Sequence, residues 1–589
     1  MSPESSNSQS RFERRSLARL NFLFTVLLLT MAVLAVRLAT MVRRGQAAAV
    51  RYVERQQRMV VPIPARPGSI WAHSGQTYRL LAGSKQSPGC YVDSALISDA
   101  QLGPVVGELA EAVEMDPAAV RKIIMARRGG RFVWIKHDLA DAQVQAVKSL
   151  KRLAVGISHE WRREYPNGAL AATVLGYRRR NGEAGGGLEL ALQEHLAAVD
   201  GREVMVADAQ RRPIWLAAAE TIPPHDGDNV YLTIDLAIQS YLAEAVAEAV
   251  DTFEAKWGVG VVVQPTTGRI LAMCSAPSFD PHRYQEAQAA HRANRAIGSP
   301  FEPGSVAKPL FAAVAVDQGL ANYQTLIDCE DGSYSARRGG RITDHGKAFG
   351  EMTLEDVVVF SSNIGMAKIG ERLGNGRLHA AAMRYGFGAK TGIGLPGESA
   401  GIVRPADQWN GYSLRRVPFG QEISVSALQL VMAFSALANG GQLLRPQLVD
   451  HVRDASNQVV WRSERQVVRR VVSARTAAQA VAVMEQVVQR GTGKACRLDR
   501  WSSFGKTGTG QIPGPGGYVD GAYTGSFVGG APVRSPRVVC LISVYWPDKS
   551  KGYYGSKVAA PYVRKVLSRT LAYLDVPPDA PDEQLARAR

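Results

Sequence analysis

Cysteine is scarce in this 589-residue chain: Cys90, Cys274, Cys329, Cys496 and Cys540 are scattered without paired spacing. An odd number cannot all pair within one chain, so neither a disulfide framework nor a metal cluster is indicated, and no thiol is proposed for catalysis. Cys274 and Cys540 lie in apolar, strand-like runs, the usual setting of a buried inert thiol. A basic run interleaved with aromatics, zinc-finger spacing and an RNA-binding aromatic signature are all missing, which argues against nucleic acid as a partner. There is no internal repeat, and after residue 42 no stretch reaches 18 apolar residues, so the remainder reads as a water-soluble body.

Positive charge is abundant. Lys and Arg number 70 against 53 Asp and Glu, giving a formal charge of +17, which suits anionic surroundings such as acidic phospholipid or a polyanionic envelope. With 46% apolar and 21% charged residues the composition is globular, and the length calls for two or three units. Leu20 to Val36 is apolar except for Asn21, Thr25 and Thr30, near the shortest run that spans a bilayer core. Leu38 to Val42 extends it if Arg37 snorkels. We therefore expect a cytoplasmic tail over 1–19 and a single anchor in the cytoplasmic membrane over 20–42. Arg11, Arg14, Arg15 and Arg19, set against Glu4 and Glu13, orient the N-terminus inside and the body outside. Arg37, Arg43 and Arg44 on the far flank make that asymmetry modest. A cleaved signal peptide ending at Ala47-Ala48-Ala49 is the competing reading, but Arg43 and Arg44 separate that site from the apolar core.

From 51 to 227 strand-like runs such as Arg131 to Ile135 alternate with helical patterns such as Ala140 to Leu150, and no catalytic constellation appears. This segment reads as a pedestal. After the loop Pro223 to Asp228 the pattern becomes regular. Val230 to Thr233 is strand-like, and Ile238, Leu242, Val246 and Val250 mark the apolar stripe of a helix. Val259 to Val263 and Ile270 to Cys274 flank a Pro265-Thr266-Thr267-Gly268 turn and predict a hairpin. Ser526 to Val528 and Val538 to Tyr545 predict further strands, followed by a helix over about 559–574. Strands at both ends with helices between predict an α+β domain over 228–575 whose terminal helices pack together. The Pro/Asp-rich segment 576–589 is expected to be disordered.

Three short motifs occur in one order: Ser305-Val306-Ala307-Lys308, Ser361-Ser362-Asn363 and Lys506-Thr507-Gly508-Thr509. Singly each recurs by chance. In this order, separated by 56 and 145 residues, they match the motif set of penicillin-interacting serine enzymes, with Ser362 where that set has Asp. A serine hydroxyl is a poor nucleophile until a base takes its proton, and a lysine three residues on lies one helical turn away. Pro309 is tolerated only near a helix start, so the helix should begin around Ser305. The positive end of its dipole then favours an alkoxide on Ser305 and lowers the proton affinity of Lys308, the expected base. Ser361 is placed to relay a proton to the leaving amine, and Asn363 to hydrogen-bond a substrate amide. Lys506 adds positive charge, and Thr507 and Thr509 offer hydroxyls to a terminal carboxylate. A backbone N–H near Thr509 and that of Ser305 are expected to form an oxyanion hole. Taken alone, Lys506-Thr507-Gly508 also reads as an exposed polar strand with a glycine bulge.

Beyond these motifs the sequence resembles the class B penicillin-binding proteins. The resemblance rests on Leu232-Thr233-Ile234-Asp235 with Gln239, Thr267 to Met273, Pro277 to Pro281, Asn294-Arg295-Ala296, Phe301-Glu302-Pro303-Gly304, Ala438 to Gly441, Ser526 to Gly529 and Val558 to Pro561. In the pedestal, Tyr165-Pro166-Asn167-Gly168, Val174 to Tyr177 and Gly187-Leu188-Glu189 match as well. Ala65 to Gly75 resembles the family's first pedestal motif in eroded form. There Pro67, Ala72, His73 and Ser74 stand where the family has arginine, aspartate, arginine and asparagine. This loss predicts fewer ion pairs in the pedestal and more packing around Ile70 and Trp71.

The resemblance implies a penicilloyl-serine transferase (β-lactamase-like) fold with a mainly antiparallel sheet flanked by helices, and no cofactor or metal. It implies D,D-transpeptidation on peptidoglycan stem peptides ending in D-Ala-D-Ala, with Ser305, Lys308, Ser361, Asn363 and Lys506 catalytic and Thr507, Gly508 and Thr509 binding substrate. β-Lactams become covalent inhibitors, and a polytopic glycosyltransferase of the shape, elongation, division and sporulation family becomes a partner. The compact catalytic domain without a C-terminal repeat extension favours septal synthesis over elongation or sporulation. A D,D-carboxypeptidase or β-lactamase of the same fold is disfavoured by the anchor and long pedestal. A β-lactam sensor is disfavoured by the short segment ahead of the anchor, and a non-enzymatic scaffold by the intact motifs.

Overall fold

The computed structural model describes residues 5–129, 132–207, 213–336, 340–346 and 348–580. The chain divides into two compact units, 1–65 with 199–225 and 66–198 with 226–589.

In the first unit no proline interrupts the chain between Pro3 and Pro62, and a single helix runs over Ser5–Gln57. Within it Arg14–Gly45 is long and apolar enough to cross a membrane and is exposed throughout, a span that contains the expected anchor and extends it at both ends. The same unit holds a three-stranded antiparallel sheet, with Gly201–Ala207 between Arg58–Ile63 and Pro213–Ile222.

The second unit is built on two sheets. Five antiparallel strands lie in the order Arg269–Ala276, Trp257–Gln264, Val538–Tyr545, Gly517–Ala531 and Phe504–Gly514. Successive side chains of a strand point to opposite faces. Val261 and Val263 accordingly join one hydrophobic cluster and Val262 another, which is why these strands read as continuous apolar runs. The helices Leu236–Thr252 and Ala560–Tyr573 cover one face and pair with each other through Arg569–Glu244 at 2.6 Å and through Lys565–Glu248. Both the predicted hairpin and the predicted packing of terminal helices are present.

The second sheet runs across the expected boundary at 228. Ile70–Ser74 pairs in parallel with Asn229–Asp235, so strands from either side of that boundary are neighbours in one sheet. It continues outward to Val449–Arg453 and Val459–Arg462 on one side and to Thr77–Val92 and Val133–Lys136 on the other. Ile70, Ala72, Val230, Leu232 and Ile234 are fully buried in the cluster that also holds Val306 and Phe311. A hydrophobic core common to both stretches packs the first pedestal strands directly against the catalytic half.

The expectation of a pedestal short of ion pairs is corrected. Glu189 is fully buried and accepts from Arg163 Nε at 2.6 Å, Arg178 Nε at 2.7 Å and the Tyr165 hydroxyl at 3.2 Å. Arg163 Nη1 also donates to Gly68 O at 2.5 Å, tying the eroded motif into this cluster. Buried charges persist when each has a partner and further hydrogen bonds. Trp71 stacks on Tyr231 with centroids 6.1 Å apart, and His73 stands 4.0 Å from Asp450. The segment is thus packed against the catalytic half as well as within the pedestal.

Residues 576–580, expected to be disordered, are docked instead. Trp501 Nε1 donates to Val576 O at 3.0 Å, and Ser502 donates to Asp579 through N at 2.7 Å and Oγ at 2.6 Å. These bonds and the burial of Val576 and Ala580 outweigh the polar composition. The rest of that expected tail, 581–589, lies outside the described residues. All five cysteines are free and buried.

Candidate active site

Gly304 has φ +54°, and a β-carbon there would come within 3.0 Å of Thr509 O. Glycine at this point lets the chain turn tightly against the third-motif strand. The 3₁₀ turn Gly304–Ala307 then runs straight into the helix Lys308–Asp317, with Pro309 in its first turn where no amide is needed. The helix start expected near Ser305 is present, tightened to 3₁₀ geometry. Ser305 is half-buried and Lys308 fully buried.

Lys308 Nζ donates to Ser361 O at 2.5 Å, Ser361 Oγ at 3.1 Å and Asn363 Oδ1 at 2.8 Å. Ser361 lies between the helices Leu354–Val359 and Asn363–Arg384 with φ +67°, a left-handed conformation that costs a non-glycine residue about 1–3 kcal/mol. That turn projects its hydroxyl between two cations, because Lys506 Nζ also donates to Ser361 Oγ, at 3.0 Å. Among the described residues this hydroxyl joins all three motifs.

The third motif occupies the strand Phe504–Gly514, at one edge of the five-stranded sheet. Lys506 and Thr507 are buried and the pairing with Gly517–Ala531 is continuous from Phe504 to Gln511, so the reading of an exposed strand with a glycine bulge is not met. A β-carbon on Gly508 would lie 2.5 Å from Val306 Cγ2 and 2.8 Å from Pro303 O; glycine is required for close approach. The Thr509 hydroxyl accepts from Gly555 N at 3.2 Å, which leaves its own proton free to donate. Thr507 Oγ1 meets Thr492 Oγ1 at 2.8 Å.

Burial, and next the charge of Lys506, hold the Lys308 ammonium well below the ordinary lysine range, with Asp344 opposing them. Burial pushes Lys506 down to about 7. Two buried lysines facing one hydroxyl favour loss of a proton from one of them.

All eight residues singled out from the sequence gather here. Asp344 went unrecognised in the sequence: it bonds to Ser362 and to the first amides of the following helix. Glu302 was also missed as a charged group. It is buried, accepts from Tyr518 Oη at 3.0 Å and from Glu422 N at 2.9 Å, and burial raises it to about 6. No local pattern marks Asp344, and although Glu302 lies in the Phe301-Glu302-Pro303-Gly304 segment that carries the resemblance, its place as a buried charge depends on Glu422 and Tyr518, distant in sequence.

The model for the penicillin-binding protein transpeptidase domain matches residues 258–568, and that for the penicillin-binding protein dimerisation domain matches 62–232. The chain belongs to the class B penicillin-binding proteins. As such it is a serine-type D,D-transpeptidase with the mixed α+β fold of that family. This penicillin-binding protein is 30% identical over 522 residues to a probable peptidoglycan D,D-transpeptidase, PenA of Neisseria meningitidis, covering 88% of this chain and 84% of that one. It is 32% identical over 491 residues to penicillin-binding protein PbpB of Mycolicibacterium smegmatis, covering 81% and 75%. Penicillin-binding protein 3 of Mycobacterium tuberculosis, solved with aztreonam, superposes with a TM-score of 0.68 at 28% identity, over 88% of this chain and 99% of that structure.

Proposed function

We propose that this penicillin-binding protein forms peptidoglycan cross-links through an acyl-enzyme on Ser305. The single observation that carries the reading is the Ser361 hydroxyl held by Lys308 and Lys506 together. Neutral Lys308 takes the Ser305 proton as Oγ attacks the carbonyl of the penultimate D-alanine. The N–H groups of Ser305 and Thr509 stabilise the oxyanion. Because Ser361 Oγ accepts from both lysines, its own proton is available to the departing D-alanine amine, and Lys308 restores it. An acceptor amine then attacks the ester by the reverse relay. Lys506, Thr507 and Thr509 hold the donor's terminal carboxylate, and Asn363 the substrate amide. A β-lactam, as a mimic of the donor, acylates the same serine.

The helix Arg14–Gly45 anchors the chain in the cytoplasmic membrane, with 66–580 on the outer side. Arg14, Arg15 and Arg19 ahead of the apolar run support that orientation. A polytopic glycosyltransferase of the shape, elongation, division and sporulation family supplies the glycan strands. Septal synthesis is the process we infer; the relative named stage V sporulation protein D, 30% identical over 447 residues, carries the competing assignment.

Labelled penicillin is expected to form a covalent adduct with wild type and none with Ser305→Ala; an adduct on the variant removes Ser305 from the role. Product analysis on lipid-linked strands should give cross-linked dimer in excess of released monomeric tetrapeptide. A reporter active only outside the cytoplasm, fused after Arg589, checks orientation. Filamentation on depletion supports septal synthesis, whereas rounding supports elongation.

A further inference from the structure

We propose that the groove beside the edge strand Val459–Arg462 is a second peptidoglycan-binding site, separate from Ser305, that holds a glycan strand by its sugar faces and stem-peptide carboxylates. This rests on the wall-peptide substrate already assigned. Val459–Arg462 ends the seven-stranded sheet, and all four of its residues are exposed. Edge strands are commonly kept short and charged, as Arg462 makes this one, yet Val459, Val460 and Trp461 also stand in the open. A groove of about 550 Å³ runs beside the strand, lined by Trp461, Ile393 and Pro446 and by Arg445, Arg462 and Arg465. That volume falls within the range of about 300–1,000 Å³ found for ligand clefts.

The positive side chains of the groove are held by neutral groups. Arg445 Nε donates to Gly392 O at 2.9 Å, and Arg465 Nε donates to Thr266 O at 2.8 Å. Among the described residues Arg445, Arg462 and Arg465 have no carboxylate partner, and Glu464 is the one acidic side chain lining the groove. Guanidiniums fixed by carbonyls keep their full charge and part of their donor fork for an incoming anion. The walls are preformed: Arg445 N donates to Gln466 O at 3.0 Å, Gln447 N to Gly268 O at 2.9 Å and Ser463 N to Asp450 O at 2.9 Å, so little freedom is lost on binding.

Three arginines around one groove suit a polymer with repeated carboxylates, and the open indole of Trp461 suits the flat C–H face of a sugar ring. A glycan strand bearing stem peptides offers both. Its concave form favours a strand over a lipid surface, which is flat. Thr266 lies in the turn leading into Arg269–Ala276, the edge strand opposite Phe504–Gly514 in the five-stranded sheet. Four strand spacings of about 4.8 Å place that turn on the order of 20 Å across the sheet from the third-motif strand. The groove thus retains a strand without occupying the site of acyl transfer.

The test uses full-length protein in detergent, first acylated with penicillin so that the Ser305 site is closed. Binding of soluble, uncross-linked peptidoglycan strands is measured by microscale thermophoresis for wild type, Trp461→Ala and Arg462→Glu, with a melting curve for each. Wild type should bind, and each variant should bind at least about fivefold more weakly. Strands stripped of their stem peptides by an amidase should lose a similar factor with wild type, since the carboxylates leave with the peptides. Both variants should keep penicillin acylation within about twofold of wild type, as expected of surface changes away from the chemistry. Equal strand binding by wild type and both variants overturns the proposal, and so does a parallel fall in penicillin acylation. Phosphatidylglycerol vesicles or polyglutamate that compete as well as the strands overturn it in favour of a lipid surface or an acidic protein segment. Failure of wild type to take the penicillin label would instead overturn the Ser305 reading, and strand binding to the unlabelled protein would still decide the groove.

Discussion

Val306 and Gly508 meet where the Gly304–Ala307 turn lies against the third-motif strand, so closely that a β-carbon on Gly508 would stand 2.5 Å from Val306 Cγ2. The spacing of Ser305 from Lys506 and Thr509 depends on this contact. Gly508→Ala should push the strand away from the turn. Since a displacement of about 1 Å costs on the order of a hundredfold in a positioned reaction, penicillin acylation should fall by about that factor while circular dichroism stays native.

The two lysines predict a bell-shaped pH dependence. As the proposed base Lys308 acts only when neutral, and burial with the Lys506 charge lowers its proton affinity, so the neutral form survives well below the ordinary lysine value of about 10.4. Lys506 attracts a carboxylate only when charged, and at about 7 it loses that charge as pH rises. Acylation should climb on the acid side as Lys308 deprotonates and fall above about 7 as Lys506 does, the apparent values belonging to the pair. In Lys506→Arg the alkaline limb should flatten, because a guanidinium stays charged. Lys308→Arg should nearly abolish acylation at every pH.

The buried Glu189 holds Arg163 and Arg178 at 2.6 and 2.7 Å. Glu189→Gln should leave two guanidiniums without a counter-charge and cost about 3 kcal/mol or more. Denaturant unfolding of the detergent-solubilised protein should show a clear drop in midpoint, larger than that for Glu183→Gln, whose pair with Arg179 is exposed.

Trp71 stacks on Tyr231 across the parallel strand pair. Trp71→Ala should therefore reduce thermal stability and penicillin acylation together. A fragment beginning at 228 should aggregate, since Asn229–Asp235 would lose a neighbouring strand, whereas one beginning at 66 keeps it. Equal solubility of the two fragments would show that the catalytic half folds without the Ile70–Ser74 strand.

What could be read from the sequence follows a physical line. Motif residues carry their chemistry in short local patterns, so Ser305, Lys308, Ser361, Asn363 and Lys506 were visible, and alternation and turn chemistry revealed Val259 to Val263, Ile270 to Cys274 and the turn between them. Asp344 was not visible, because Thr343-Asp344-His345-Gly346 has the composition of any surface turn and acquires its role only through the helix it meets. The strand pair that links the two sides of the boundary at 228 leaves no local mark either. The Pro/Asp-rich segment after Leu574 was read from composition, which cannot register the bonds from Trp501 and Ser502.

The parallel pairing of Ile70–Ser74 with Asn229–Asp235 sets a waiting time during biosynthesis. Ser69 N reaches Asn229 Oδ1 across 160 residues of sequence, and a ribosome adding about 5–20 residues per second takes roughly ten to thirty seconds to supply them. For that interval one edge of the early strand is bare while Thr77–Val92 already covers the other. An unpaired apolar edge is a template for wrong partners, so this strand is open to misassembly before its partner in the catalytic half has been made.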